Sequence, residues 1–114
     1  MSDTDNTLND GSISVNLNCC RALVGKKQLN LTATEYNLLV YLLENSGISL
    51  TREELLEGAW AESYQGTSRT VDTHVRRLRL KLGRSGRRIR TVRGVGYQLE
   101  SVRRRGSKAH NKTR

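Results

Sequence analysis

Ile13, Val15 and Leu17 alternate with Ser14 and Asn16, the two-residue period of a strand with one buried face. Arg21 to Val24, a turn at Gly25-Lys26-Lys27, and Gln28 to Leu31 extend this into a small antiparallel meander. The period then changes. Thr32-Ala33-Thr34-Glu35 is a capping box, in which the Thr hydroxyl and the Glu carboxylate satisfy each other's backbone amides at a helix start. The helix it opens runs to about Asn45, with Gly47 as its stop. Tyr36, Leu39, Val40 and Leu43 share one face and Leu38 and Leu42 another, so this helix is sandwiched at the centre of the core. Ile48 to Leu50 is short enough for a brief strand. Thr51-Arg52-Glu53-Glu54 is a second capping box, opening a helix to about Trp60 with Leu55, Leu56 and Ala59 inward.

After a polar loop from Ala61 to Gly66, Thr67 or Ser68 can cap a third helix that ends at Gly83. Val71, Val75, Leu78 and Leu82 fall on one narrow stripe of it, while Arg69, Thr70, Thr73, Arg76 and Arg77 lie opposite. Asp72 sits in the first turn, where a carboxylate suits the helix dipole, and four residues before Arg76, which it can brace. Ser85 to Arg88 reads as a loop. Ile89 to Arg93, Gly94-Val95-Gly96 and Tyr97 to Glu100 then read as a hairpin whose glycines supply the positive φ of a tight turn. The expected organisation is a disordered lead or linker remnant over 1–11, one ordered domain over 12–100, and a basic disordered tail over 101–114. That tail is either a solvated end or a non-specific phosphate binder.

Composition narrows the picture. The 114 residues are 35% hydrophobic with no Phe, so the core must rest on Leu, Val and a few Tyr. No apolar run approaches the ~20 residues that span a bilayer, and the acidic N-terminus is unlike a secretory signal. A soluble, cytoplasmic protein is expected. Cys19 and Cys20 are adjacent and would point to opposite faces of a strand, with no further ligands nearby, which predicts reduced packing residues rather than a metal or redox site. No metal or cofactor is expected.

Charge changes the picture most. The chain carries +9, but residues 1–66 hold a net −5 and residues 67–114 a net +14. Segregation on this scale points to a polyanionic partner, and the basic half lacks the apolar face of a membrane-surface helix. A helix fits the major groove, and Arg has the planar fork that pairs with guanine O6 and N7. Arg90 and Arg93, expected at a hairpin tip, suit a narrow, negative minor groove. Three helices and a hairpin, the last helix basic outside, make a winged helix-turn-helix in an α+β fold. An RNA-binding module would show exposed aromatics for stacking, and the chain holds only one Trp and four Tyr. A winged helix built for protein contacts would carry an acidic or apolar exposed helix. An enzyme would need a nucleophile–base pair, a metal cluster or a phosphate-cradling loop, none of which is legible.

Four blocks stand in order along this frame: L-N-L-T-A-T-E-Y-N-L-L (29–39), R-E-E-L-L-E-G-A-W (52–60), R-T-V-D-T-H-V-R-R-L-R-L-K-L (69–82) and I-R-T-V-R-G-V-G-Y-Q-L (89–99). Over roughly 12–100 the chain thereby resembles the C-terminal effector domain of OmpR/PhoB-type response regulators. The resemblance implies an N-terminal four-stranded antiparallel sheet, three helices and a C-terminal wing. It implies sequence-specific binding of double-stranded DNA, as head-to-tail pairs on direct repeats, with RNA polymerase touched through Ala61, Glu62, Ser63, Tyr64, Gln65 and Gly66. By position, Arg69, Thr70, Thr73, His74, Arg76, Arg77 and Arg79 match groove or phosphate contacts. Thr91 and Arg93 match wing contacts and Trp60 a backbone contact.

Several residues keep a second reading. His74 lies between the two faces of its helix and suits either packing or a phosphate. Trp60 suits the core, or partial burial with its indole N–H toward a phosphate. Gly94 and Gly96 are turn formers first, though bare backbone also permits close approach to DNA, and Tyr97 reads as packing. Thr73 stands where some relatives carry an apolar residue. Leu80 is exposed where relatives often have a basic one, leaving it a sugar contact or a contact to a neighbouring protomer. A phosphorylated receiver does not fit within 114 residues. The chain is therefore a fragment of a longer regulator answering to a sensor kinase, or a stand-alone effector; the polar lead before Ser12 resembles a linker and favours the first.

Overall fold

Both capping boxes form in the computed structural model of the chain, which describes residues 7–60 and 68–101. Thr32 and Thr51 each accept a hydrogen bond from the backbone N–H three residues on, and the Glu35 and Glu54 carboxylates each accept one from the backbone N–H of the cap residue. They open α1 (Ala33–Glu44) and α2 (Arg52–Ala59). Before them stand β1 (Thr7–Asp10), β2 (Ile13–Asn16), β3 (Arg21–Val24) and β4 (Lys27–Gln28), an antiparallel sheet in the order β1-β2-β3-β4. After α1 come β5 (Leu50–Thr51), α2, α3 (Ser68–Leu82), a 3₁₀ turn (Gly83–Arg88), β6 (Ile89–Val92) and β7 (Gly96–Leu99). The last two strands form the wing, and β5 joins them in a second antiparallel sheet ordered β5-β7-β6.

The core lies where α1 meets everything else. Leu38, Leu39 and Leu42 are buried completely, facing Ile13 and Val15 of the first sheet, Leu55 of α2, and Leu99 of the wing within one continuous cluster. The stripe Val71, Val75, Leu78 and Leu82 presses α3 into the same cluster, as its spacing predicts. Burial of a side chain of this size contributes about 1.5–3 kcal/mol. The winged-helix α+β architecture and the three helices follow the sequence expectation closely.

The differences are local and each has a cause. Residues 7–10 are not disordered lead but β1, paired residue for residue with β2. Their sequence, Thr-Leu-Asn-Asp, has little apolar content; the strand is held instead by its last residue. Asp10 is 2% exposed and accepts hydrogen bonds from Arg88, Ser46 and Ser101. Arg88 in turn donates to the carbonyls of Asp10 and Glu100, so one guanidinium ties the first strand to the end of the wing. Cys19 and Cys20 are exposed rather than packed, because the chain leaves the strand at Asn16 for a turn in which Cys20 takes φ +54°. Leu17, expected to complete the strand stripe, is exposed in the same turn. β4 ends at Gln28, three residues short of its expected end. Gly83–Arg88 winds as a 3₁₀ turn where a loop was expected, with Gly86 so close to the Arg79 carbonyl that no side chain fits.

Gly94 and Gly96 turn out to do different things. Gly94 has φ +79° and forms the turn, closed by the Val95 N–H donating to the Val92 carbonyl at 2.9 Å. Gly96 is not in the positive-φ region. It is buried where β7 crosses β5, and a Cβ there would collide with the Leu50 carbonyl oxygen. Gly96→Ala should therefore destabilise the fold by about 1–3 kcal/mol. Val95→Ala at the exposed tip should stay within about 0.5 kcal/mol of the parent. Urea unfolding midpoints compare them, and equal midpoints would remove the close-approach role from Gly96.

Glu35, 2% exposed, links α1 to α3: its Oε1 accepts from the Thr32 N–H at 3.0 Å and from Lys81 Nζ at 2.7 Å. Burial pushes its carboxyl up, but the Lys81 bond, the Thr32 amide and the nearby ammonium charge outweigh this and hold it below its ordinary 4.5. A lowered folded pKa means the pairing stabilises fully above the ordinary value and is lost as pH falls through the folded one. Lys81→Met should cost about 1–3 kcal/mol at neutral pH by leaving the carboxylate underpaired. That deficit should shrink as pH falls below 4.5, measured by urea unfolding at a series of pH values; a deficit independent of pH would rule out the pairing as its source.

Candidate nucleic-acid interface

α3 presents its basic face because its other face is pinned at three places. Lys81 holds its C-terminal end to Glu35 and to the Asn30 carbonyl at 3.1 Å. Near its N-terminus Asp72 is the second pin. The expected brace to Arg76 does not form; Asp72 Oδ1 accepts from Arg52 Nε of α2 and from the Tyr97 hydroxyl of β7, each at 2.7 Å. Helix spacing made Arg76 available, but the carboxylate turns to its two tertiary partners and Arg76 stays exposed. Burial raises the Asp72 pKa, yet the hydrogen bonds from Tyr97 and Arg52 outweigh it and leave the carboxyl below its ordinary value. Burial and the Asp72 bond push the Tyr97 phenol up, so both groups hold the protonation state their bond requires. Tyr97 is thus more than packing.

The third pin is Arg79. Its Nε and Nη2 both donate to the Ile89 carbonyl, at 2.9 and 2.7 Å, and Nη2 also reaches Thr91 Oγ1 at 2.9 Å. Its guanidinium and that of Arg52 each lie 5.4 Å from the Tyr97 ring centre, a distance at which a cation is attracted to the ring. Two of the residues matched to contacts, Arg79 and Thr91, are therefore joined to each other, fixing the wing's first strand to the helix.

The remaining predicted residues fall into two groups. Arg69, Thr73, Arg76 and Arg77 are exposed along the outer side of α3, and Thr73 Oγ1 donates to the Arg69 carbonyl at 3.2 Å. Thr70 and His74 are half-buried at its edge, His74 Nδ1 lying 2.8 Å from the Thr70 carbonyl. Trp60 meets the His74 ring edge-on, 5.1 Å between centres at 85°, so the two residues pack as a pair flanking the helix. Arg93 is exposed at the wing tip. Arg90, expected beside it, is instead in β6 opposite Gln98, 3.9 Å from the Glu100 carboxylate. The loop Ala61 to Gly66 and the proposed cap Thr67 lie outside the described residues, as does the tail beyond Ser101.

Sequence reasoning did not foresee Arg52 and Tyr97 as the groups that aim α3, nor Arg88 as the tie to the first strand. Their only signal was an arginine and a tyrosine standing where their elements meet others, which one sequence does not reveal.

Residues 25–99 match the family model described as "Transcriptional regulatory protein, C terminal". The chain belongs to that family. Among its members, the heme response regulator HssR of Staphylococcus epidermidis is 38% identical over 100 residues, covering 86% of this chain and 45% of its own length. The chain thus spans less than half of that curated relative. The fold is similar to the response regulator AdeR DNA-binding domain solved in complex with an intercistronic region, with a TM-score of 0.70 and 33% identity over 79% of this chain and 94% of that one. It is also similar to DrrB, an OmpR/PhoB homologue of Thermotoga maritima, with a TM-score of 0.74 and 29% identity over 84% and 45% of the two chains. The resemblance read from the four sequence blocks and the winged-helix fold are both borne out. None of the described helices is long and apolar enough to cross a membrane.

If Arg79 fixes the wing to α3, Arg79→Ala should loosen β6 selectively. Hydrogen exchange at the amides of Arg90 to Val92 should accelerate, with a stability loss of about 1–3 kcal/mol, while the α1 core amides accelerate by no more than that loss allows. Wing exchange unchanged from the parent would mean that pairing with β7 alone holds the strand.

Proposed function

We propose that this chain binds double-stranded DNA in a sequence-specific manner, with α3 in the major groove and the wing against the adjacent minor groove. The observation that carries this reading is the exposed row Arg69, Thr73, Arg76 and Arg77, on a helix whose opposite face and both ends are fixed to the rest of the fold. A rigid helix with several free arginine forks suits guanine edges and phosphates. Arg93, carried on a hairpin clamped to that helix, suits a narrow minor groove. Arg79 and Thr91 act by positioning the wing, and the Trp60–His74 pair borders the groove where a phosphate would pass.

The finer reading follows the family. Two copies would sit head to tail on direct repeats, and the segment 61–66 would meet RNA polymerase. A receiver domain and its sensor kinase would control the effector in a longer protein. The solved AdeR domain, taken with an intercistronic region, supports the DNA-binding part of this reading.

Selection of duplexes from a random pool, followed by titration at several salt concentrations, tests it. Specific binding should weaken steeply with salt, log K falling against log salt with a slope near −0.9 per phosphate neutralised. Arg77→Ala should cost about 1–3 kcal/mol on the selected duplex and blur one base preference. Equal losses on selected and random duplexes would reduce Arg77 to a phosphate contact, and no enriched motif would overturn sequence-specific binding itself.

A further inference from the structure

Leu80 is the most exposed large apolar side chain among the described residues, at 75%, and it stands in the middle of the arginine face rather than at its margin. Counting about 100° per residue, Leu80 is turned about 180° from the buried Val71. Arg69 and Arg76 fall about 20–40° to one side of it, and Thr73 and Arg77 about 20–60° to the other. An exposed leucine in open solvent gains nothing, and one surrounded by guanidinium groups is a poor surface for another protein's apolar patch. Those same cations draw the face onto a polyanion. The one apolar feature on the floor of the major groove is the C5 methyl of thymine.

We infer that Leu80 is a specificity-determining residue that packs on a thymine methyl group in the bound site. This rests on the reading of α3 as the groove-reading helix and adds to it an apolar contact that arginine forks cannot make. Seven residues separate Thr73 from Leu80, about 10.5 Å of helix. That spacing, about two helical turns, places the Leu80 contact on a different base pair of the groove from the one under Thr73. The chain thereby gains a preference for thymine at one end of its half-site.

The test uses a duplex enriched from a random pool on this chain, with its thymines replaced one at a time by deoxyuridine, which removes only the methyl. Dissociation constants are measured for the parent, Leu80→Ala and Arg77→Ala; Leu80 is exposed, so its truncation leaves the core intact. Loss of one buried methyl should weaken parent binding about fourfold at a single thymine. Leu80→Ala should show a similar loss on the unmodified duplex and no further loss with deoxyuridine at that position. A parent insensitive to deoxyuridine everywhere overturns the inference, as does a thymine dependence that survives in Leu80→Ala, which would assign the methyl to Thr73. If Leu80→Ala weakens only the cooperative loading of a second copy, the residue is a protomer contact and the inference also falls. Arg77→Ala separates the two levels. If it loses affinity while deoxyuridine has no effect, only the Leu80 assignment fails; if it too binds like the parent, the reading of α3 fails with it.

Discussion

The Asp72 carboxylate fixes the geometry on which the rest of the site depends. It receives one hydrogen bond from α2 through Arg52 and one from the wing through Tyr97, so a single oxygen on α3 sets the helix against both neighbours. A hydrophobic stripe alone would hold α3 down but let it roll or slide by a fraction of a turn, since leucine and valine contacts are non-directional. Hydrogen bonds to a carboxylate are directional, and charge assistance makes them the stronger kind. The Arg79 clamp then brings β6 to the same helix, and Lys81 stops its far end on Glu35. Register, roll and wing position are each set by a polar contact, while burial supplies the cohesion.

That division explains what was legible in the sequence. Periodicity reports burial, so α1, α2, α3 and the wing were readable, as was the stripe Val71, Val75, Leu78 and Leu82. Capping boxes are local, and both formed where Thr32 and Thr51 predicted them. Polar contacts between distant elements leave no such trace. Asp72 has an arginine four residues on, and nothing in a single sequence says that it will prefer Arg52, twenty residues back, and Tyr97. The first strand failed for the same reason, since Thr7–Asp10 has almost no apolar pattern and depends on the buried Asp10 meeting Arg88 seventy-eight residues later. Cys19 and Cys20 show the opposite error: strand periodicity was carried past the point where Asn16 begins a turn.

The charge asymmetry also takes on a structural meaning. Within the basic half the two acidic residues are both engaged inside the fold, Asp72 with Arg52 and Tyr97, and Glu100 near Arg90 and, through its carbonyl, with Arg88. The arginines of that half divide accordingly. Arg79 spends its guanidinium group on the Ile89 carbonyl and Thr91, and Arg88 on two backbone carbonyls and the Asp10 carboxylate, so that each closes a gap between elements. Arg76, Arg77 and Arg93 have no hydrogen bond or ion pair among the described residues and stand in solvent on the helix and the wing tip. Net charge is thus a poor measure of the site, because part of it is structural; what faces a partner is the set of arginines the fold does not use.

A face built that way is strongly attractive to any polyanion but discriminates poorly, because a guanidinium donates to phosphate and guanine alike. Selectivity needs features that the phosphate backbone cannot satisfy. Thr73, whose hydroxyl is turned back to the Arg69 carbonyl, presents its methyl outward more readily than its oxygen. Leu80 presents nothing but carbon. On the reading proposed for Leu80, two apolar groups on one line of this helix would read base identity by contact with the groove floor, indifferent to the charge of the backbone. The clamps at Asp72, Arg79 and Lys81 matter for this reason above all: a methyl–methyl contact loses much of its attraction over a gap of 0.5–1 Å. It therefore discriminates only from a helix that cannot shift by that much.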